Sequence, residues 1–165
     1  MSSKDIFIRG LHIVQALLGA YGATVSFVAI NNLLQYEETA KKLAEWSDTA
    51  AHELHKTRTT QATGAIAIFA SLIASLTLAV APHALLKIVR VGISPVLLVA
   101  ILFARAHIKN YWAPKDGKTV GVRIPLPKME QYNEAQRQTQ KLLKVLEYLE
   151  YSWVAASFVN GMLGA

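Results

Sequence analysis

Between Arg58 and Lys87 the chain runs for 28 residues, 59 to 86, without a formal charge, and its centre reads T-G-A-I-A-I-F-A-S-L-I-A-S-L-T-L-A-V-A. A bilayer's hydrocarbon core is about 30 Å thick and a helix rises about 1.5 Å per residue, so roughly 20 such residues cross it. Lipid offers the backbone no hydrogen bonds, and helix is the form in which a single apolar segment satisfies its own N–H and C=O groups. This run is therefore read as a membrane span, and the rest of the chain is read around it.

The chain has further runs of the same kind. Gly10 to Tyr36 is also uncharged. It is too long for the apolar region of a cleaved signal peptide, so it is read as the first span. Its Gly19, Ala20, Gly22, Ala23 and Ser26 allow close helix approach, and His12 and Gln15 lie about one turn apart, facing either a neighbouring helix or a substrate. Pro82 ends or bends the second span. The third is interrupted by Arg90 and Arg105, whose stems can carry their charges outward, and Gly92 with Pro95 predicts a kink. Three of the five prolines and two glycines fall in the loop from Tyr111 to Lys128, where V-G-V-R-I-P-L-P reads as extended chain or a short hairpin. From Lys128 onward one long helix is expected, polar at first and uncharged from Tyr151, with Tyr148, Tyr151 and Trp153 at the interface.

The expected fold is thus all-α: one integral membrane four-helix bundle with spans at about 10–34, 61–82, 86–109 and 143–164 and a protruding fourth helix. The charged stretch Glu37 to Arg58 has no Pro or Gly and is expected as an amphipathic cytosolic helix after span one, lying on the bilayer surface. Leu43, Trp46, Ala50 and Leu54 would share one face of it, with Glu45, Asp48, His52 and His55 on the other.

Charge then orients the chain. The net charge is +6, which in a soluble protein would suggest nucleic acid. Here the basic residues lie in loops between spans, so lipid headgroups are the expected partner and nucleic acid is not. Of 17 Lys and Arg, Lys4, Arg9, Lys87 and Arg90 fall on one side and 13 on the other. The long loops are therefore expected in the cytosol and both termini in the lumen or outside; the membrane expected is the endoplasmic reticulum.

Candidates for chemistry gather at the cytosolic end. His52, His55, Arg58 and His107 are the candidate catalytic acid, base and charge-stabilising groups. Thr59 and Gln61 at the polar mouth of span two, with Arg105 and Trp112, are the candidate substrate contacts. Arg105 is expected to pair with Glu147 or Glu150 on the neighbouring helix. Asp48, His52 and His55, spaced i, i+4, i+7, are read as a solvated stripe rather than a metal site, with zinc or iron ligation as the alternative. The chain has no cysteine, which excludes thiolate metal sites, disulfides and a haem thiolate of its own. It also has no nucleotide-binding glycine loop, no H-E-x-x-H and no G-x-S-x-G.

A charged segment after span one, a W-x(n)-H-x-x-H-K-T-R entry to a small-residue span two and an amphipathic lead into span four resemble the anthrone-oxygenase-like membrane proteins of fungal polyketide clusters. That resemblance implies cofactor-free oxygenation of a lipophilic aromatic polyketide, with His52 or His55 and Arg58 in the working positions. The layout is similar as well to the small membrane proteins that accompany haem monooxygenases in fungal clusters making macrocyclic polyketide-peptides. This second resemblance implies an obligate subunit with no cofactor of its own, haem being supplied by a partner monooxygenase.

Overall fold

In a computed structural model of the chain, residues 3–45, 48–112 and 129–163 are described. They form four helices, α1 Ser3–Ala44, α2 Asp48–Val80, α3 Lys87–Trp112 and α4 Met129–Leu163, with a 3₁₀ turn at Pro82–Ala84 between α2 and α3. No strand occurs among the described residues. Three segments are long and apolar enough to cross a membrane: Asp5–Glu37, Ala51–Val80 and Lys87–Trp112. Among the described residues α4 is not one of them.

Each helix packs against two neighbours, α1 and α3 both lying between α2 and α4. The pairings run antiparallel throughout. Gln15 meets Ser152 and Tyr36 meets Tyr132 across α1 and α4. Glu37 meets Arg58 across α1 and α2, Thr60 meets Trp112 across α2 and α3, and Ser94 meets Asn160 across α3 and α4. The chain therefore runs up, down, up, down around one core.

Spacing explains how the ring closes. On α4 buried Tyr132, Ala135, Thr139, Leu142, Leu146, Leu149, Trp153, Ala156 and Asn160 follow an alternation of three and four that keeps one seam pointed inward, with Val145 buried beside it. Seams with the same spacing run along α1 through His12, Gln15, Gly19, Gly22, Ser26, Ala29 and Leu33, and along α2 through Thr57, Thr60, Gly64, Ala67, Ser71, Ala74 and Leu78. Those two seams are small or polar, whereas α3 and α4 supply the bulk through Ile101, Ile108, Trp112, Leu142, Leu146 and Trp153. A Cβ added at Gly19 would lie 3.1 Å from Leu72 Cβ and 3.2 Å from Leu72 Cα, so α1 and α2 approach nearly backbone to backbone there.

The structure departs from the sequence expectation between Glu37 and Arg58. There is no separate surface helix: α1 continues to Ala44 and α2 begins at Asp48. The absence of Pro and Gly that makes this stretch helical also lets both flanking helices propagate through it. The result is a helical hairpin extending beyond the uncharged runs. Trp46 lies outside the described residues, as does the stretch 113–128 with its expected hairpin. Elsewhere α2 stops at Val80 ahead of Pro82, and α3 continues through Gly92 and Pro95. One long helix from Lys128 was expected, and α4 runs from Met129.

Candidate functional site at the hairpin end

The hairpin end of the ring carries an aromatic and carboxylate cluster to which all four helices contribute. Trp112 on α3 is buried, and its indole N–H donates to Thr60 Oγ1 on α2 at 3.0 Å. Its ring stacks on Tyr132 of α4, with centroids 5.6 Å apart, and Tyr132 in turn meets Tyr36 of α1 at 5.2 Å. Tyr111 stands edge-on to Trp112, and its hydroxyl donates to the Glu53 carboxylate at 2.7 Å. The Tyr132 hydroxyl is buried without a hydrogen-bond partner. Burial, reinforced by the negative charge of Glu53 and by Tyr36, pushes this phenol well above its ordinary range, so Tyr132 stays neutral.

Two ion pairs join neighbouring helices, one beside the cluster and one deeper in the ring. Arg58 closes a two-pronged pair onto Glu37, Nε on one carboxylate oxygen and Nη2 on the other at 2.8 Å, with Lys41 at 3.9 Å. Glu37 is nearly buried, and this fork matches the geometry in which guanidinium holds carboxylate most firmly. Arg105 on α3 lies between two carboxylates of α4, 2.7 Å from Glu150 and 2.9 Å from Glu147. One turn of α4 separates the two glutamates, so a single guanidinium reaches both.

The residues nominated from sequence are distributed rather than convergent. Gln61 is buried and donates to Thr139 at 2.6 Å, leaving its own carbonyl oxygen unpartnered. Thr59 donates to the Lys56 carbonyl of its own helix at 3.2 Å. His107 stacks on Phe103, with centroids 6.1 Å apart. Asp48, His52 and His55 are exposed on the first turns of α2, and among the described residues no hydrogen bond, ion pair or ring contact joins either histidine to Arg58 or His107. Among the described residues no three His, Asp or Glu side chains gather as metal ligands. One helical stripe presents three such groups outward, and a further element would have to close over them.

Glu37, Glu53, Tyr36, Tyr111 and Tyr132 belong to this end and were not among the sequence candidates. Their signal lay in position. Glu37 and Arg58 are the charges that bound the first two uncharged runs, which is where antiparallel neighbours bring opposite charges together.

A second polar layer lies toward the other end. His12, buried, donates through Nδ1 to Gln15 Oε1 at 2.7 Å, and Gln15 donates to Ser152 Oγ at 3.2 Å. Trp153 donates to Ser71 at 2.8 Å and lies 5.9 Å from the His12 ring. This layer ties α1, α2 and α4 together.

No protein-family model, curated protein or solved structure matches the chain.

Proposed function

We propose that the chain is an integral membrane protein whose four helices form a membrane bundle, and that it works as a subunit of a membrane-bound ensemble acting on a lipophilic substrate. The observation that carries the subunit reading is how the polar groups between the helices are used. Arg58 is committed to Glu37, Arg105 to Glu147 and Glu150, Gln61 to Thr139 and Trp112 to Thr60. A catalyst keeps an acid, a base or a charge-stabilising group free to meet its substrate. Here Arg58, Arg105, Gln61 and Trp112 hold the helices to one another, while among the described residues His52, His55 and His107 make no hydrogen bond, ion pair or ring contact between helices.

The membrane reading is supported by the ring's inverted polarity. His12, Gln15, Ser26, Thr60, Gln61, Ser71, Ser75 and Ser94 are buried, while Ile13, Leu17, Phe27, Ile66, Ile73, Val96, Val99 and Phe103 are exposed. Water would favour the reverse arrangement, and lipid favours this one. The tailoring of a polyketide-type compound beside a haem monooxygenase, in the endoplasmic reticulum with long loops cytosolic, is the setting that the resemblance of layout suggests.

One observation favours a catalytic role instead. The Glu53, Tyr111 and Tyr132 cluster holds a buried hydroxyl with no partner, which a substrate's polar group can meet. The test is co-purification of the tagged full-length chain from its own membranes in mild detergent, read by mass spectrometry beside product formation. The subunit reading expects a haem monooxygenase or another membrane enzyme in fixed proportion. It also expects Glu53→Gln and Tyr132→Phe to leave product formation intact while the assembly holds. Recovery of the chain alone, with turnover abolished by Glu53→Gln, would overturn the subunit reading in favour of an enzyme.

A further inference from the structure

The outward face of α4 changes chemistry along its length in the order of a lipid monolayer. Arg137, Lys141, Lys144, Tyr148, Tyr151, Ala155, Phe158 and Met162 are all exposed and recur every three or four residues, so they form one stripe. It is basic for three positions, then aromatic for two, then apolar to the end. Tyrosine pairs are at home at the headgroup boundary, with lysine above and hydrocarbon below.

The rest of the ring does not change character at the same level. A Cβ at Gly22 of α1 would meet both Val145 of α4 and Ile68 of α2, so Gly22 is level with Lys144. Beyond Gly22, α1 carries no charge until Glu37, about 14 residues or 20 Å further on. It exposes Phe27, Val28 and Leu34 on the way, and α2 exposes Ile66. On the other side, a Cβ at Gly64 would touch both Ile108 and Leu142, which brings exposed Lys109 of α3 level with Lys141. The α3–α4 side is therefore cationic at a depth where the α1–α2 side is still apolar.

The nearby carboxylates do not neutralise this patch. Glu134 pairs with Arg137 at 3.3 Å, and Glu147 is held by Arg105. Among the described residues, Lys109, Lys141 and Lys144 have no ion pair. Three ammonium groups above two exposed tyrosines and an apolar stripe match an amphiphile with an anionic head and acyl tails.

We infer that Lys109, Lys141 and Lys144 draw the headgroups of anionic phospholipids to this level, with acyl chains lying along Tyr148, Tyr151 and Phe158. The site holds the headgroup plane deeper on the α3–α4 side than on the α1–α2 side. The inference rests on the membrane placement proposed above and is independent of the subunit reading.

The test uses the purified full-length protein in neutral detergent. Phosphatidylserine or phosphatidylcholine is added, bound lipid is counted by native mass spectrometry, and thermal stability is followed in parallel. The expected result is at least a fivefold preference for phosphatidylserine, with a rise in Tm that shrinks as salt is added. The triple variant Lys109→Gln, Lys141→Gln, Lys144→Gln is expected to lose both effects while keeping the parent's Tm in phosphatidylcholine. Equal binding of the two lipids overturns the proposal. So does a preference that survives the triple variant, or one that disappears instead in Lys87→Gln, Arg90→Gln at the opposite end. A Tm rise of the same size with millimolar inorganic phosphate assigns the patch to a free anion and overturns the lipid assignment. A chain that stays monodisperse without detergent overturns the membrane placement and this proposal with it.

Discussion

Trp112 and Trp153 stand on opposite sides of the core, and each spends its one N–H on a hydroxyl of α2, Thr60 for the first and Ser71 for the second. An indole fits such a site because its body fills apolar space while its edge needs a single acceptor. Trp112→Phe keeps most of the volume and loses the donation, so it is expected to cost about 1 kcal/mol in detergent unfolding. Trp112→Ala also opens a cavity beside Tyr132 and is expected to cost about 3–5 kcal/mol. Arg105 offers a sharper contrast. Its removal in Arg105→Ala leaves Glu147 and Glu150 one turn apart with no cation between them. The side chains are partly exposed, so a loss of about 2 kcal/mol is expected, between the value of a surface pair and that of a buried one. Glu150→Gln is expected to lower Tm more than Glu147→Gln, because Glu150 is the more buried and closer partner. A larger effect at Glu147 would remove the reason given for the pair's geometry. The partners of Arg105 were readable from the chain because helices joined by a loop align antiparallel and an Arg near a span end needs a carboxylate. The tyrosine cluster was not readable, since Tyr36, Tyr111 and Tyr132 are spread over three helices and nothing in one helix's period says that they meet.

Helix packing decides the sign of one simple substitution. In a helix interior Ala is favoured over Gly by up to about 1 kcal/mol. At Gly92, where an added Cβ meets nothing within 4 Å, Gly92→Ala is expected to leave stability unchanged or raise it. At Gly19 the new methyl would press on the Leu72 backbone, which cannot rotate away, so α1 and α2 must separate by a few tenths of an ångström. Gly19→Ala is expected to destabilise by about 1–3 kcal/mol despite the better propensity. Thermal unfolding of the two variants side by side checks this, and equal shifts would mean that the α1–α2 contact is looser than the geometry requires. The same scale shows why the helices were legible and the hairpin was not. Long uncharged runs and a breaker at Pro82 mark where α2 is apolar enough to cross a membrane and where it stops. A charged, Gly-free stretch between two spans is helical by composition alone. Composition carries no mark of a reversal at 45–48, and Glu37 with Arg58 acquires its meaning only once the two helices are antiparallel.

For the whole molecule, α4 decides the topology. It is half a water-facing helix and half an apolar one, so hydropathy averaged along it understates the second half, where Val154, Phe158 and Met162 face outward. Its inward seam runs unbroken from Tyr132 to Asn160, which obliges the second half to follow α1 and α3 wherever they go. If those two cross a bilayer, a helix packed between them along this length crosses too, and the end of α4 returns to the side of Ser3. The absence of cysteine makes this directly measurable, since every introduced thiol is the chain's single one. In sealed vesicles treated with a membrane-impermeant maleimide, Glu45→Cys and Glu130→Cys are expected to label together from the cytosolic face. Ser3→Cys, His83→Cys and Gly161→Cys are expected to label together only after permeabilisation. Labelling of Gly161→Cys with the Glu45 group would mean that α4 turns back and three helices span. Labelling of His83→Cys with that group would mean that α2 does not cross, and the inverted polarity of the ring would then need an apolar partner other than lipid.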